Sequence, residues 1–436
     1  MKLRFTLLLL TLVLSLAISA DRTPNNCSEA WSPTANSQTL ESGLGVNIHF
    51  TEPKPGEIKL LADAGFRWVR MDFKWDETER ERGRYDFSAY DRLMSSLREY
   101  RIQALFILDY GNPLYDHDAP PRTDESRRAF ARWATAAAKH FGGRGVIWEI
   151  YNEPNTAMFW PPRPNPEEYI ALALAVGRAF RAEVPDEKLI GPATAGIDFP
   201  FLEACFKAGL LDYWSAVSVH PYRQSDPEQT ANDYCRLRDM IQRYRTPTSQ
   251  GNERLRGGRE IPIISGEWGY SAVWRNMNEE KQGALFARQM LTNVANRIPV
   301  AIWYDWRDDG RDPGDAEHNF GLVRHDYRAG QAQVYEPKSA YQAAKTISNF
   351  FTGYRFEKRL AVGSSDDYVL VFARSGEQRI AAWTTSSAAH RITIPLESGE
   401  YTVTTHVGAS TLARPANPTG LSIEVSTAPV YIAPVK

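Results

Sequence analysis

The sequence predicts an α/β chain: a (β/α)8 TIM barrel over residues 44–350, followed by a small antiparallel β-sandwich over 351–436. Three observations carry this reading. Between residues 44 and 350, eight short apolar runs alternate with longer stretches patterned as helices, which suits a closed parallel barrel. No nucleotide fingerprint, phosphate loop or nucleophile elbow interrupts them, because Gly43-Leu44-Gly45 does not complete such a motif. After residue 351 the helical patterns stop, and short alternating runs separated by turn residues take over.

The elements follow in order. Lys2 and Arg4, the apolar run Phe5 to Ala17 and the small residues up to Ala20 predict a secretory signal over residues 1–20, too short to span a membrane. Its removal takes two bases and moves the formal charge from -2 to -4. Residues 21–43 form an N-terminal segment in which Asn36 to Glu41 could add a strand to the sandwich. The eight barrel strands are placed at Leu44 to Phe50, Phe66 to Phe73, Ile102 to Tyr110, Val146 to Glu153, Lys188 to Pro192, Trp214 to His220, Ile261 to Glu267 and Val300 to Trp306. Asn165 before Pro166, with Glu167 and Glu168 in the first turn, signals a helix start. Another helix begins near Thr123, carries Phe130, Trp133 and Ala137 on one face, and stops at Gly142-Gly143. The sandwich strands are read at Tyr368 to Ala373, Arg379 to Thr384, Arg391 to Pro395, Tyr401 to Val407, Leu421 to Val425 and Val430 to Ile432. Such a module either binds carbohydrate or serves as a packing domain, and the second reading is preferred.

Composition bounds the partners. The chain has 436 residues, 43% of them hydrophobic, enough for one large core and a small one. A slight acidic excess argues against nucleic acid and anionic membranes. Three cysteines make no disulfide framework; Cys205 and Cys235 could bridge, which would leave Cys27 unpaired.

Two of the apolar runs end in glutamates: Trp148-Glu149-Ile150-Tyr151-Asn152-Glu153-Pro154 and Ile264-Ser265-Gly266-Glu267-Trp268. Glu153 closes the fourth predicted strand and Glu267 the seventh, and strand C-termini face the reaction site of a barrel. Paired carboxyls are what cleavage of a glycosidic bond requires: one protonated for the leaving oxygen, one ionised for the anomeric centre.

Asn152-Glu153-Pro154 and Ser265-Gly266-Glu267-Trp268, so placed, resemble the signature of the retaining (β/α)8-barrel glycoside hydrolases, the clan of cellulases, β-xylosidases and exopolysaccharide glycosidases. The resemblance covers about residues 44–350. It implies that Glu153 is the general acid/base, that Glu267 is the nucleophile and that Asn152 bonds the sugar 2-hydroxyl. His220-Pro221-Tyr222 matches the clan's His-x-Tyr pattern, so Tyr222 is expected on Glu267 and His220 on substrate, unless His220 is a satisfied core residue. Arg70, on an otherwise apolar strand, pairs either with Asp72 or another barrel carboxylate, or with Glu267 as clan relatives place it. Sugar faces pack on aromatic rings, so Trp306 is expected as the platform, with Trp303 as alternative and Trp160, Trp268, Tyr110, Asn112 and His49 ranked below.

The acids between Asp308 and Glu317 do not follow calcium-loop spacing, so this segment is read as a pocket-shaping loop. The stretch Glu253 to Arg259 is read as a solvated loop that could contact an acidic polysaccharide. The expectation is an exported, secreted or periplasmic, monomeric retaining β-glycosidase acting on an oligo- or polysaccharide, without metal or organic cofactor and without a membrane anchor once the signal is removed. The alternatives are an inactive saccharide-binding barrel and a transglycosylase sharing the covalent intermediate.

Overall fold

The computed structural model describes residues 39–245, 260–415 and 420–435. The predicted signal, Cys27 and the arginine-rich stretch lie outside them. Eight parallel strands close a barrel in sequence order: β1 Leu44–Asn47, β2 Trp68–Lys74, β3 Gln103–Asp109, β4 Val146–Ile150, β5 Lys188–Ala195, β6 Ala216–His220, β7 Ile263–Trp268 and β8 Ala301–Trp303. Closure is made by β8 on β1, with Val46 opposite Trp303. Every strand is covered on its outer face by helices, so β3 and β4 are buried almost end to end, as a parallel sheet requires.

The helix signals act through backbone capping. Asn165 Oδ1 accepts from the amides of Glu167 and Glu168 at 3.0 and 3.2 Å, opening the helix Pro166–Glu183. Thr123 does the same for Ser126 at the start of the helix Asp124–His140. Residues without an internal partner at these helix starts are thereby satisfied.

Two cores share the strands. Outward-facing residues pack under the helices in one large cluster, while Trp68, Leu105, Ile147, Ile190, Ala216, Ile264, Val300 and Ile302 fill the lumen as a separate apolar layer. Side chains alternate along a strand, so the lumen layer above it comprises residues two positions further on. There the sequence turns polar: Arg70 after Trp68, Glu149 after Ile147, Ser218 after Ala216 and Gly266 after Ile264.

Four strand expectations are corrected. The first strand ends at Asn47 and not Phe50. The fourth ends at Ile150, so Glu153 lies three residues beyond it. The last barrel strand ends at Trp303 and does not run to Trp306: the amides of Tyr304 and Trp306 still bond the Trp268 and Asn47 carbonyls, but the carbonyls of Asp305 and Trp306 turn to Leu322. The fifth strand is longer than expected, reaching Ala195 past a register shift at Pro192–Thr194.

The C-terminal part is a six-stranded antiparallel sheet with a two-stranded sheet packed on it. Six of its strands match the expected runs, and two more are found, Arg355–Leu360 and Ser410–Ala413. Both are largely solvent-exposed edge strands, so neither shows apolar alternation. Their shared core is Val369, Val371, Ile380, Ile392, Ile394, Ile423 and Val425 among others. Of the expected strand over Asn36 to Glu41, the described part makes one antiparallel bridge, Thr39 to Arg355, before a 3-10 turn at Glu41–Gly43. The sheets are joined to the barrel by Phe351 against Phe372 and by Trp383, whose indole N–H donates to Glu228 at 2.6 Å.

The Cys205–Cys235 bridge does not form. Cys205 is a free thiol buried in the core face of the helix Phe199–Lys207, whereas Cys235 is disulfide-bonded.

Candidate active site

The polar lumen layer is organised by Arg70. Its guanidinium, 1% exposed, donates from Nε to Glu149 Oε2 at 2.8 Å, from Nη1 to Glu267 Oε2 at 2.6 Å and from Nη2 to Asn152 Oδ1 at 2.8 Å. Asn47 Oδ1 lies 3.3 Å from Nη1. Glu149 is itself fully buried and takes a second bond from the Ser218 hydroxyl. Both structural and site-directed readings of Arg70 are therefore realised at once, through two different glutamates. Asp72 is not among its hydrogen-bond partners.

Gly266 makes this layer possible. A Cβ there would come within 2.4 Å of Ser218 Oγ and 3.1 Å of Glu149 Oε1, so β7 can pass this close to the network only without a side chain.

Glu267 accepts two bonds, from Arg70 and from the Tyr222 hydroxyl at 2.9 Å. Glu153 sits in a different setting. Burial pushes its carboxyl up to about 7, with the Arg70 charge opposing. His220 links the two sides: Nε2 faces Arg70 Nη2 at 3.1 Å and Nδ1 faces Glu153 Oε1 at 2.8 Å. An arginine can only donate, so Nε2 is the acceptor and Nδ1 carries the hydrogen toward Glu153. Burial, then the Arg70 charge, holds the imidazole down at about 4, which keeps this neutral tautomer. One oxygen each of Glu153 and Glu267 lie within 4.8 Å of one another and of a His220 ring nitrogen.

The chain reaches this geometry through local strain. Tyr151 and Glu153 have φ of 65° and 42°, a left-handed backbone that non-glycine residues adopt at a cost of order 1–3 kcal/mol. The Glu153 amide is tied to the Ala193 carbonyl at 3.0 Å, which holds the turn.

The other expected residues divide. Tyr110 is half-buried near the pair and stacks on Phe159 with ring centroids 5.7 Å apart. His49 lies at the mouth, 41% exposed, with Nε2 3.5 Å from the buried Asp305. Burial disfavours its imidazolium, but the bond to Asp305 and the charges of Asp305, Asp309 and Asp72 outweigh it and push His49 up to about 9. Burial likewise pushes Asp305 up to about 7. His49, Asp305 and Asp309 have ligand atoms within 4.8 Å of one another, a spacing that suits a metal ion.

Trp306, Trp160, Trp268 and Asn112 are not brought to the pair. Trp306 is 1% exposed, with its indole N–H on Glu57 at 3.0 Å and its ring against Tyr341, although its amide still bonds the Asn47 carbonyl of β1 at 3.0 Å. Trp160 is buried behind Tyr151 and bonds Glu168, Trp268 is in the core, and Asn112 bonds the carbonyls of Trp75 and Glu79. Trp303 packs on Phe286. The aromatic ring that does stand at the mouth is Tyr304, half-buried, 5.7 Å from His49 and close enough to Glu267 to feel its charge. Sequence reasoning passed over it as an ordinary strand residue; the signal was its place directly after the last apolar run. The loop after it has local partners: Asp308 with Lys338 at 2.7 Å, and Arg311 with Asp326.

A closed parallel barrel with paired glutamates at its C-terminal mouth defines the class of (β/α)8-barrel glycoside hydrolases. Residues 34–310 match the family described as Cellulase (glycosyl hydrolase family 5), and the chain belongs to that family. No curated protein matches it. Among solved structures it is similar to a family 39 glycoside hydrolase from the gut symbiont Bacteroides cellulosilyticus WH2, at 24% identity and a TM-score of 0.76 over 92% of this chain and 81% of the other. A family 39 β-xylosidase from Caulobacter crescentus follows at 16% and 0.63, over 92% and 97%. A family 30 endoxylanase from Clostridium papyrosolvens C71 stands at 12% and 0.62, over 91% and 96%. At these identities the structural likenesses establish the shared fold.

Proposed function

We propose that this glycoside hydrolase is an exported, retaining β-glycosidase of oligo- or polysaccharides, with the barrel over 44–350 as catalytic unit and 351–436 as packing domain. The observation that carries the reading is the approach of Glu153 and Glu267 to within 4.8 Å, close to the separation of about 5 to 5.5 Å that a double displacement uses and short of the roughly 6.5 to 9.5 Å that seats an attacking water. Export rests on the N-terminal signal pattern; among the described residues no helix is long and apolar enough to cross a membrane.

In the first step a Glu267 oxygen bonds the anomeric carbon as the glycosidic C–O bond breaks, and Glu153 gives its proton to the leaving oxygen. Two donors, Arg70 and Tyr222, stabilise the attacking carboxylate. When Glu267 becomes an ester its charge is gone, yet Arg70 keeps Glu149 as counter-ion and is never an isolated buried cation. Loss of that nearby negative charge also favours ionised Glu153. Glu153 then takes a proton from water, whose oxygen attacks the anomeric carbon and restores Glu267. Asn152, its Oδ1 held by Arg70, turns its amide nitrogen to the 2-hydroxyl, and Tyr304 supplies the ring face for the sugar.

Glu267→Gln is expected to lower kcat on aryl β-glycosides by about 10⁴-fold or more, with an unchanged unfolding midpoint, and a 2-fluoro glycoside should label Glu267 in the native enzyme. Full activity of the variant, or labelling elsewhere, would refute the assignment.

A further inference from the structure

Above the Arg70 layer lies a second carboxyl pair that the double displacement does not use. Asp72 is two residues beyond Arg70 on β2, and Asp109 is four beyond Leu105 on β3, so both point into the lumen at its mouth. Two strand residues advance about 7 Å, which sets Asp72 beside any sugar held over Glu267. Asp109 is fully buried, and neither of its oxygens meets a hydrogen-bond donor among the described residues. What stands beside it is the carboxyl of Asp72, on the adjacent strand and two residues before Lys74, the register partner of Asp109. Lys74, next along β2, is bonded to Glu77 at 3.2 Å.

Two carboxyls in such contact cannot both be ionised. Burial, then the Asp72 charge, raises Asp109 well above the usual carboxylate range, so Asp109 is the carboxyl placed to donate to Asp72. Asp72 is only half-buried. Its strand position puts it at the mouth of the lumen, within reach of a sugar hydroxyl that can donate to it.

Resting on the glycosidase reading, we propose that Asp72 binds a hydroxyl of the reacting sugar, that Asp109 is the positioning residue behind it, and that this wall selects a neutral, hydroxyl-rich glycone over a uronic acid. The charges agree. The wall from β8 round to β3 carries Asp305, Asp309 and Asp72, with the proton-holding Asp109 behind them, and its cations among the described residues are engaged: His49 by Asp305, Lys74 by Glu77, Arg70 by Glu149 and Glu267. A sugar carboxylate would meet like charge there and no uncommitted guanidinium or ammonium group.

The test compares neutral aryl β-glycosides, their uronide counterparts and singly deoxygenated analogues. Wild type is expected to prefer the neutral glycoside by at least about 100-fold in kcat/KM, in line with an unpaired buried charge. Asp72→Ala should lower kcat/KM on the full glycoside by about 10- to 100-fold, the range for a hydrogen bond to a charged group, and the loss should vanish on the analogue lacking the bound hydroxyl. Asp109→Asn, which keeps a donor facing Asp72, should retain most of what Asp109→Leu loses. An equal loss by Asp72→Ala on every deoxy analogue, or preference for the uronide, overturns the proposal while leaving the glycosidase reading intact. Calorimetric binding of the same sugars is measured in parallel: absent turnover with binding that Asp72→Ala weakens would refute the glycosidase reading alone, and unweakened binding would refute the hydroxyl contact.

Discussion

Two layers of the same lumen, one residue pair apart along the same strands, behave as different materials. The lower layer, Trp68, Leu105, Ile147, Ile190, Ala216, Ile264, Val300 and Ile302, is apolar and makes no polar demands beyond the Trp68 indole, which donates to the Ser42 carbonyl. The upper layer, Arg70, Glu149, Ser218, Gly266 and His220, is as deeply buried and carries charge. A buried ion pair is weak evidence for stability, since its desolvation offsets much of its attraction. The lower layer is therefore the one that holds the barrel closed, and the upper layer is tolerated because of what it positions at Glu153 and Glu267.

That contrast can be broken from either side. The largest effect is expected from Arg70→Met, which leaves Glu149 buried without a counter-ion: about 3–5 kcal/mol of stability lost by denaturant titration, together with kcat. If stability held while kcat fell, the upper layer would have no structural part. Leu105→Ala in the lower layer should cost about 2–5 kcal/mol and leave kcat/KM per folded molecule within about twofold; a specific loss of catalysis would mean the layers are not separable.

Smaller in energy, Tyr222→Phe removes one of the two donors to Glu267 and should lower kcat/KM by about 10- to 100-fold at unchanged stability. The alkaline limb reports the Glu153 setting. Its raised carboxyl keeps the proton needed for the leaving oxygen up to about pH 7, so kcat/KM should fall as pH rises through that value; a profile flat to pH 9 would exclude Glu153 as the acid. The smallest effect separates the two aromatic candidates. Trp306→Phe loses one bond to Glu57, about 1 kcal/mol of stability, with KM unchanged, whereas Tyr304→Ala should raise KM. The reverse pattern would restore Trp306 as the platform.

The strands were legible where burial enforces an apolar run, and the edge strands Arg355–Leu360 and Ser410–Ala413 were not, because exposed edges carry no such pattern. Helix starts at Thr123 and Asn165 were legible because a cap is a local event within three residues. Trp306 was misplaced for the opposite reason: its amide still bonds Asn47 of β1, and nothing local says that its side chain turns to Glu57 and Tyr341, which lie far away in the sequence.

By itself the sequence determined the barrel, its order and the two glutamates, Glu267 at the end of β7 and Glu153 in the turn just beyond β4, because period and spacing along a strand are fixed by backbone geometry. Only the tertiary structure decided who meets whom across the lumen. Arg70 reaches Glu149 and Glu267 at separations of 79 and 197 residues, Asp72 meets Asp109, and Tyr304 stands where Trp306 was expected. Those contacts follow from strand register and loop backbone pairing, which bring distant residues together by closure of the sheet, and no local pattern records them.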